Sequence, residues 1–122
     1  MSILLDTIKA YYRCIDAADI EWVVRLFSPN AIYERADCVY EGAKQIERFF
    51  REECKIRGEH KIERLWEVPG AGVVVSTGHF EGVGKAGDAR SVAFADIWHF
   101  DQQNRIGRRQ TFLALGSQYV RE

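Results

Sequence analysis

The residues best placed for chemistry lie in the run Val92-Ala93-Phe94-Ala95-Asp96-Ile97-Trp98-His99-Phe100. Read as a strand, it sends alternate side chains to opposite faces. Val92, Phe94, Asp96, Trp98 and Phe100 share one face; Ala93, Ala95, Ile97 and His99 share the other. Asp96 is therefore mid-strand among four large apolar side chains. A carboxylate there is costly unless it is paired, hydrogen-bonded or neutralised. The turn Asp101-Gln102-Gln103-Asn104 fixes the hairpin that follows. With Phe100 opposite Arg105, Asp96 lies opposite Arg109, and paired residues share a face. A one-residue slip or a bulge would bring Arg108 or Gln110 there instead. Two readings fit: a polar centre at the bottom of an apolar pocket, or a buried ion pair that only holds the hairpin's register.

Other candidates are weaker. In the preceding hairpin, pairing Gly84 with Ala89 puts His79 opposite Phe94 and Thr77 opposite Asp96, both facing in. A slip of one residue turns Phe80 in and His79 out. Over residues 61–68, Ile62, Arg64, Trp66 and Val68 share a face, and Trp66 reads as core or pocket wall. Cys14, Cys38 and Cys54 are an odd number with no close pair, which points to reduced thiols in a cytosolic protein. No Cys/His spacing suits zinc, and nothing indicates a metal, nucleotide or flavin.

The elements that must position these residues change period along the chain. Leu4, Ile8, Tyr11, Ile15 and Ala18 recur at helical steps, so residues 2–18 form a helix with one apolar stripe. Tyr11 lies on that stripe, and its hydroxyl needs a partner. Asp19 caps a second helix over 20–27. Short strands follow at 31–34 and 39–41, then a third helix from 43 to about 57, stopped by Gly58. Long strands over 61–68, 72–83, 90–100 and 105–119 complete the chain. The expected fold is α+β: three N-terminal helices packed on a strongly curved, mostly antiparallel sheet that forms a cone with an internal pocket.

Length and composition agree with one domain over residues 1–122. The chain has 122 residues, 47% apolar and 29% charged, which is ordinary for a globular protein. A net charge of −1 gives no footprint for nucleic acid or a membrane surface. No apolar run nears the roughly 18 residues of a membrane span, and the start carries no basic leader. These features predict a cytoplasmic protein. Ala93, Ala95, Ile97 and His99 form a small, apolar reverse face, which predicts a homodimer through the sheet.

Three segments carry a resemblance. They are Tyr11 to Tyr33 (YYRCIDAADIEWVVRLFSPNAIY), Gly42-Ala43-Lys44-Gln45-Ile46 with Phe49, and Phe94 to Asp101 with Arg105-Ile106. Nearly end to end, the chain resembles the nuclear-transport-factor-2-like superfamily, and within it the ketosteroid isomerase and SnoaL-like polyketide cyclase group. The resemblance implies a cone of helices on a curved sheet, an apolar pocket, and frequent dimerisation through the sheet. In ketosteroid isomerases an aspartate moves a proton between carbons, while a tyrosine and a protonated aspartate bind the developing enolate oxygen. Tyr11 falls on that tyrosine and Asp96 on the protonated aspartate. The base falls on Arg35, just after Glu34, and a second tyrosine becomes Phe50. Arginine cannot abstract a proton near neutral pH, so steroid isomerisation does not transfer. SnoaL-like cyclases, which use acid–base side chains without metal or cofactor, are closer. Limonene epoxide hydrolase, of the same superfamily, combines arginine with aspartates to activate water, but the second aspartate it needs has no clear counterpart here; Asp37 is in a loop.

The sequence thus predicts a pocket lined by Tyr11, Trp22, Phe27, Phe50, Phe94, Trp98 and Leu113. One reading is a cofactor-independent isomerase, cyclase, dehydratase or hydrolase acting on a small, apolar, ring-bearing metabolite. Asp96 is then the general acid/base, Tyr11 a donor to oxyanion charge, and Arg109 or His79 the tuning or second acid/base group. The alternative is a module that binds the same kind of molecule without chemistry, with Asp96 and Arg109 as a structural pair.

Overall fold

The computed structural model describes residues 2–35, 38–54 and 56–114. Asp37 and the end of the strand expected over 105–119 lie outside the described residues.

The first helix, α1 (Ile3–Asp16), starts where the Ser2 side chain accepts the Leu5 N–H at 3.2 Å. Its apolar stripe buries Leu4, Ile8, Tyr11 and Tyr12. At its end Ala18 takes a left-handed conformation, with φ at 57°. Asp19 then caps α2 (Ile20–Arg25) by accepting the Trp22 N–H. Strands β1 (Phe27–Arg35) and β2 (Cys38–Glu41) follow, then α3 (Ala43–Arg48), which continues into a π turn over Phe49–Glu53. The chain ends in β3 (Arg57–Val68), β4 (Val73–Val83), β5 (Ala89–Phe100) and β6 (Ile106–Leu113).

The sheet has six strands in the order β2-β1-β6-β5-β4-β3. All neighbours are antiparallel except β1 and β6, which run parallel. The α+β class, the three helices and the mostly antiparallel sheet are therefore as expected. As read along the chain, α3 follows two strands, so the three helices do not all precede the sheet. It is also shorter than the expected 43–57. The π turn ends it, and β3 begins at Arg57. Gly58 is not a helix stop but lies in β3 opposite Gly82. A Cβ on Gly58 would come 2.3 Å from the Glu81 carbonyl oxygen, so the close approach of the strands requires glycine. Among the described residues, no helix is long and apolar enough to cross a membrane.

Register decides which side chains meet. The inner face of β5 carries Phe94, Asp96 and Trp98, all buried. Across the β5–β6 hairpin, Phe100 pairs with Ile106, one residue beyond the expected partner. The Asp101 carboxylate holds the intervening loop by accepting the N–H groups of Gln103 (2.8 Å) and Arg105 (3.0 Å). A bulge between His99 and Phe100 shifts the pairing by one more. The two shifts together restore the face, so Thr111 stands opposite Asp96 and Arg109 opposite Trp98. In the β4–β5 hairpin Val83 pairs with Ala89, a single-residue slip. Ser76, not Thr77, therefore faces Asp96, and Phe80 is buried inside.

Candidate functional site

Two neighbouring rows across the inner face build the site. One runs Ser76, Asp96, Thr111, Arg35; the next runs Val74, Trp98, Arg109, Tyr33. From above, α1 lowers Tyr11 and Tyr12 onto them.

Asp96 is 1% exposed and is the acceptor on which this network converges. Its Oδ1 accepts from Thr111 Oγ1 at 2.5 Å and from Arg109 Nε at 3.1 Å. Its Oδ2 accepts from the Tyr12 hydroxyl at 2.5 Å and from Arg109 Nη2 at 3.2 Å. A carboxylate cannot donate, so the Tyr12 proton is committed to Asp96. Ser76 then donates to Tyr12 across 2.7 Å and itself accepts from Trp98 Nε1 at 2.9 Å. These contacts satisfy the buried carboxylate from both sides.

Arg109 is 4% exposed, and its guanidinium lies between three rings. Its Cζ is 4.4 Å from the Trp98 ring centre, 4.5 Å from Tyr11 and 4.6 Å from Tyr33. Burial opposes its charge, but Asp96 and the surrounding phenols outweigh that and hold its pKa well above the ordinary arginine value. Arg109 Nη1 also donates to the Tyr11 hydroxyl. The Tyr11 proton itself has no acceptor among the described residues. Burial pushes the Tyr11 phenol well above its usual 10.0, against the pull of Arg109, so Tyr11 stays a donor.

Beside this floor is a hollow of about 70 Å³. Tyr11, Tyr33 and Arg109 line its polar end, and Ile15, Ile20, Phe49, Phe50 and Phe80 its apolar walls. The π turn brings Phe49 and Phe50 together onto it, with ring centres 5.1 Å apart. Near the mouth are the exposed Ala18, Arg57 and Gly58.

On another wall is His60, which sequence reasoning missed. Its Nδ1 is 2.6 Å from Asp16 Oδ1, and its backbone N–H donates to Asp16 Oδ2 at 2.9 Å. Asp16 accepts at both oxygens, so Nδ1 carries a proton, and whenever the ring is neutral Nε2 offers the lone pair. Tyr12, Phe80 and Phe94 crowd the ring at 4.8–5.4 Å between centres. No local pattern marks this pair, because its members are 44 residues apart.

Several expected positions are corrected. His79 does not face the interior; it pairs with Ala93 on the outer face, 2.6 Å from the Ser91 hydroxyl. Trp22 is 53% exposed, under the Arg25 guanidinium, because its face of α2 turns to solvent. Leu113 is 40% exposed at the end of β6. Trp66 is 45% exposed, since it pairs with Val75 on the outer face. Phe27, Phe94 and Trp98 are buried as core beneath the hollow, not as its lining. Of the predicted lining, Tyr11 and Phe50 do border it. Asp96 faces inward as its strand position requires, but Arg109 and Tyr11 border the hollow in its place. Glu34 points outward to Arg108 at 2.5 Å.

A mostly antiparallel sheet carrying helices, with a polar floor beside an apolar hollow, defines a class of small α+β domains. The chain belongs to the SnoaL-like domain family, whose model matches residues 8–108. No curated relative matches the chain. Among solved structures, an NTF2-like protein of unknown function from Burkholderia pseudomallei superposes with a TM-score of 0.84 at 16% identity, covering 93% of this chain and 92% of that one. A SnoaL-like polyketide cyclase candidate from Shewanella denitrificans gives 0.81 at 15% identity, over 93% and 92%. The epoxide hydrolase/cyclase-like enzyme SalBIII, of pyran ring formation in salinomycin, gives 0.79 at 15%, over 90% and 89%. At these identities the likeness is one of fold.

Proposed function

We propose that this protein is a cofactor-independent acid/base enzyme that moves a proton next to a carbonyl group of a small, ring-bearing molecule held in a cone-shaped hollow. The observation that carries the reading is the placing of His60 and the Arg109–Tyr11 pair around one hollow. His60 Nε2 takes a proton from the carbon beside the carbonyl. The C–H electron pair becomes the new carbon–carbon π bond, and the carbonyl π electrons move onto oxygen. Tyr11 O–H and a free Arg109 N–H donate to that oxygen, and both are fixed before the reaction starts. His60 then returns the proton to another carbon, which is isomerisation, or gives it to a departing hydroxyl, which leaves as water. Asp16 holds the imidazole tautomer throughout.

In this reading Asp96 is a positioning residue. Both its oxygens are occupied by donors, so it fixes Arg109 and carries no proton to substrate. The sequence-based role of Asp96 as the general acid/base remains the competing assignment. The two are separated by uptake of deuterium from D2O at the α-carbon of a panel of small aryl ketones and β-hydroxy ketones, followed by NMR. His60→Gln should slow uptake about 10²–10⁴-fold, the usual worth of a positioned acid/base group. Full activity in His60→Gln would refute the assignment. Ketones that raise the melting temperature but come back undeuterated would favour the binding-module reading instead.

We also propose that the outer face of the sheet pairs with a second copy of the chain. Trp66, Val68 and Phe112 are 40–52% exposed there, beside Ile97 and Val75, and form a shared apolar surface.

A further inference from the structure

Three arginines border one hollow, and among the described residues only Arg109 has a carboxylate partner. Arg109 is matched by Asp96. Arg35 and Arg57 are also in its lining, yet neither forms an ion pair among the described residues. The one acidic side chain in the lining, Asp16, has both oxygens engaged by His60. Elsewhere among the described residues, Arg25, Arg48, Arg51, Arg90 and Arg108 each have an acidic partner within 4.0 Å, while Arg13, Arg64 and Arg105 stand apart from the hollow without one.

Arg35 is half-buried and held in place. Its Nη1 donates to the Tyr33 hydroxyl at 2.6 Å, and its Cζ is 4.8 Å from the Phe49 ring centre. A guanidinium fixed on a ring loses little freedom when it takes up an oxyanion. Arg57 is exposed at the mouth, and only its Nη1 is used, on the Cys54 and Ile56 carbonyls. Its remaining donors have no partner among the described residues. The hollow is too small to enclose a whole ring-bearing molecule, since a dry cavity of about 150 Å³ is what benzene occupies. Such a ligand must project toward the mouth, where Arg57 is exposed, along a lining that includes the half-buried Arg35.

We infer that the substrate carries an anionic oxygen group, a carboxylate or a phosphate, seated between Arg35 and Arg57 at the mouth. Its carbonyl oxygen lies deeper, on Tyr11 and Arg109. This rests on the proposed function for the placing of the carbonyl, but the anion site is tested by binding alone.

The experiment measures calorimetric affinities of phenylacetate and of its neutral isostere phenylacetamide, with phenyl phosphate as a third probe. The acid should bind about tenfold or more tightly than the amide at low salt. Arg35→Gln with Arg57→Gln should bring the ratio close to one, and Arg35→Lys should keep part of it. A control, Arg105→Gln in the distant β5–β6 turn, should leave the ratio unchanged. Tighter binding of phenylacetate than of phenyl phosphate assigns a carboxylate, and the reverse order a phosphate. Equal binding of acid and amide, no binding of either anion, or selectivity that survives the double substitution would overturn the inference. Anion selectivity without deuterium uptake by any ketone or keto acid would sink the proposed catalysis and leave the anion site standing. Deuterium uptake with neutral ketones favoured over keto acids would do the opposite.

Discussion

Replacing Asp96 by Asn tests the centre of the site most sharply. The side chain keeps its shape, but one acceptor oxygen becomes an NH2 donor. Whichever way the amide turns, that donor meets other donors: Thr111 and Arg109 Nε on one side, Tyr12 and Arg109 Nη2 on the other. Arg109, 4% exposed, then keeps a charge with no counter-charge beside it. Breaking a buried pair in this way costs about 3–5 kcal/mol. A domain of ordinary stability, about 5–15 kcal/mol, remains folded at 25 °C but much weakened. Urea titration followed by circular dichroism reads the change directly. Arg109→Met, and the double variant with Asp96→Asn, complete a cycle. The double variant should be less damaged than the sum of the two by about 1–3 kcal/mol, because the second change removes the orphaned charge left by the first. A loss below about 1 kcal/mol for Asp96→Asn would refute the claim that this carboxylate anchors the network. So would simple additivity in the double variant.

Other outcomes follow from the same geometry. Burial pushes the phenols of Tyr11 and Tyr12 well above their usual 10.0, and Asp96 adds to the rise at Tyr12. The unfolded chain loses these protons first, so stability is full below pH 10 and falls as the pH rises above it. Absorbance titration at about 295 nm should show both rings ionising only with unfolding; free ionisation of all tyrosines near pH 10 would contradict their burial. Ala18→Gly relieves a left-handed φ of 57° and should stabilise the fold by about 1 kcal/mol in urea titration. Trp98→Ala should cost about 3–5 kcal/mol, whereas Trp22→Ala, half exposed, should stay within about 0.5 kcal/mol. Ile97→Glu together with Phe112→Glu should convert a dimer to a monomer by light scattering; an unchanged mass would refute the outer-face interface.

The inner face of β5 was legible because alternation is a local property. Asp96, Trp98 and Phe94 are buried wherever the strand's partners fall. Arg109 came out on the correct face although its pairing was displaced, because two one-residue shifts add to two and restore the alternation. His79 did not, because a single slip leaves nothing to cancel it. Trp66 could not be placed from its strand alone: both faces of residues 61–68 mix charged and apolar side chains, and a bulge between Ile62 and Arg64 changes their parity. The three helices were readable from period, but the length of α3 was not, since a π turn leaves no compositional mark. His60 was invisible for a different reason. Its meaning depends on Asp16 at the end of α1 and on the packing that brings the two together.

The place of β6 in the sheet has a consequence for how the protein is made. It emerges last of the described strands, yet it is the seam between β1 and β5. Until it is available, the first hairpin and the meander of β3, β4 and β5 have no common edge. Arg109 and Thr111 arrive with it, so Asp96 waits without its cation and one of its hydroxyl donors until β6 has been made. A nascent chain stalled before Ile106 should therefore be a preferred substrate for holding chaperones, and closure across the parallel β1–β6 pair should set the pace of refolding.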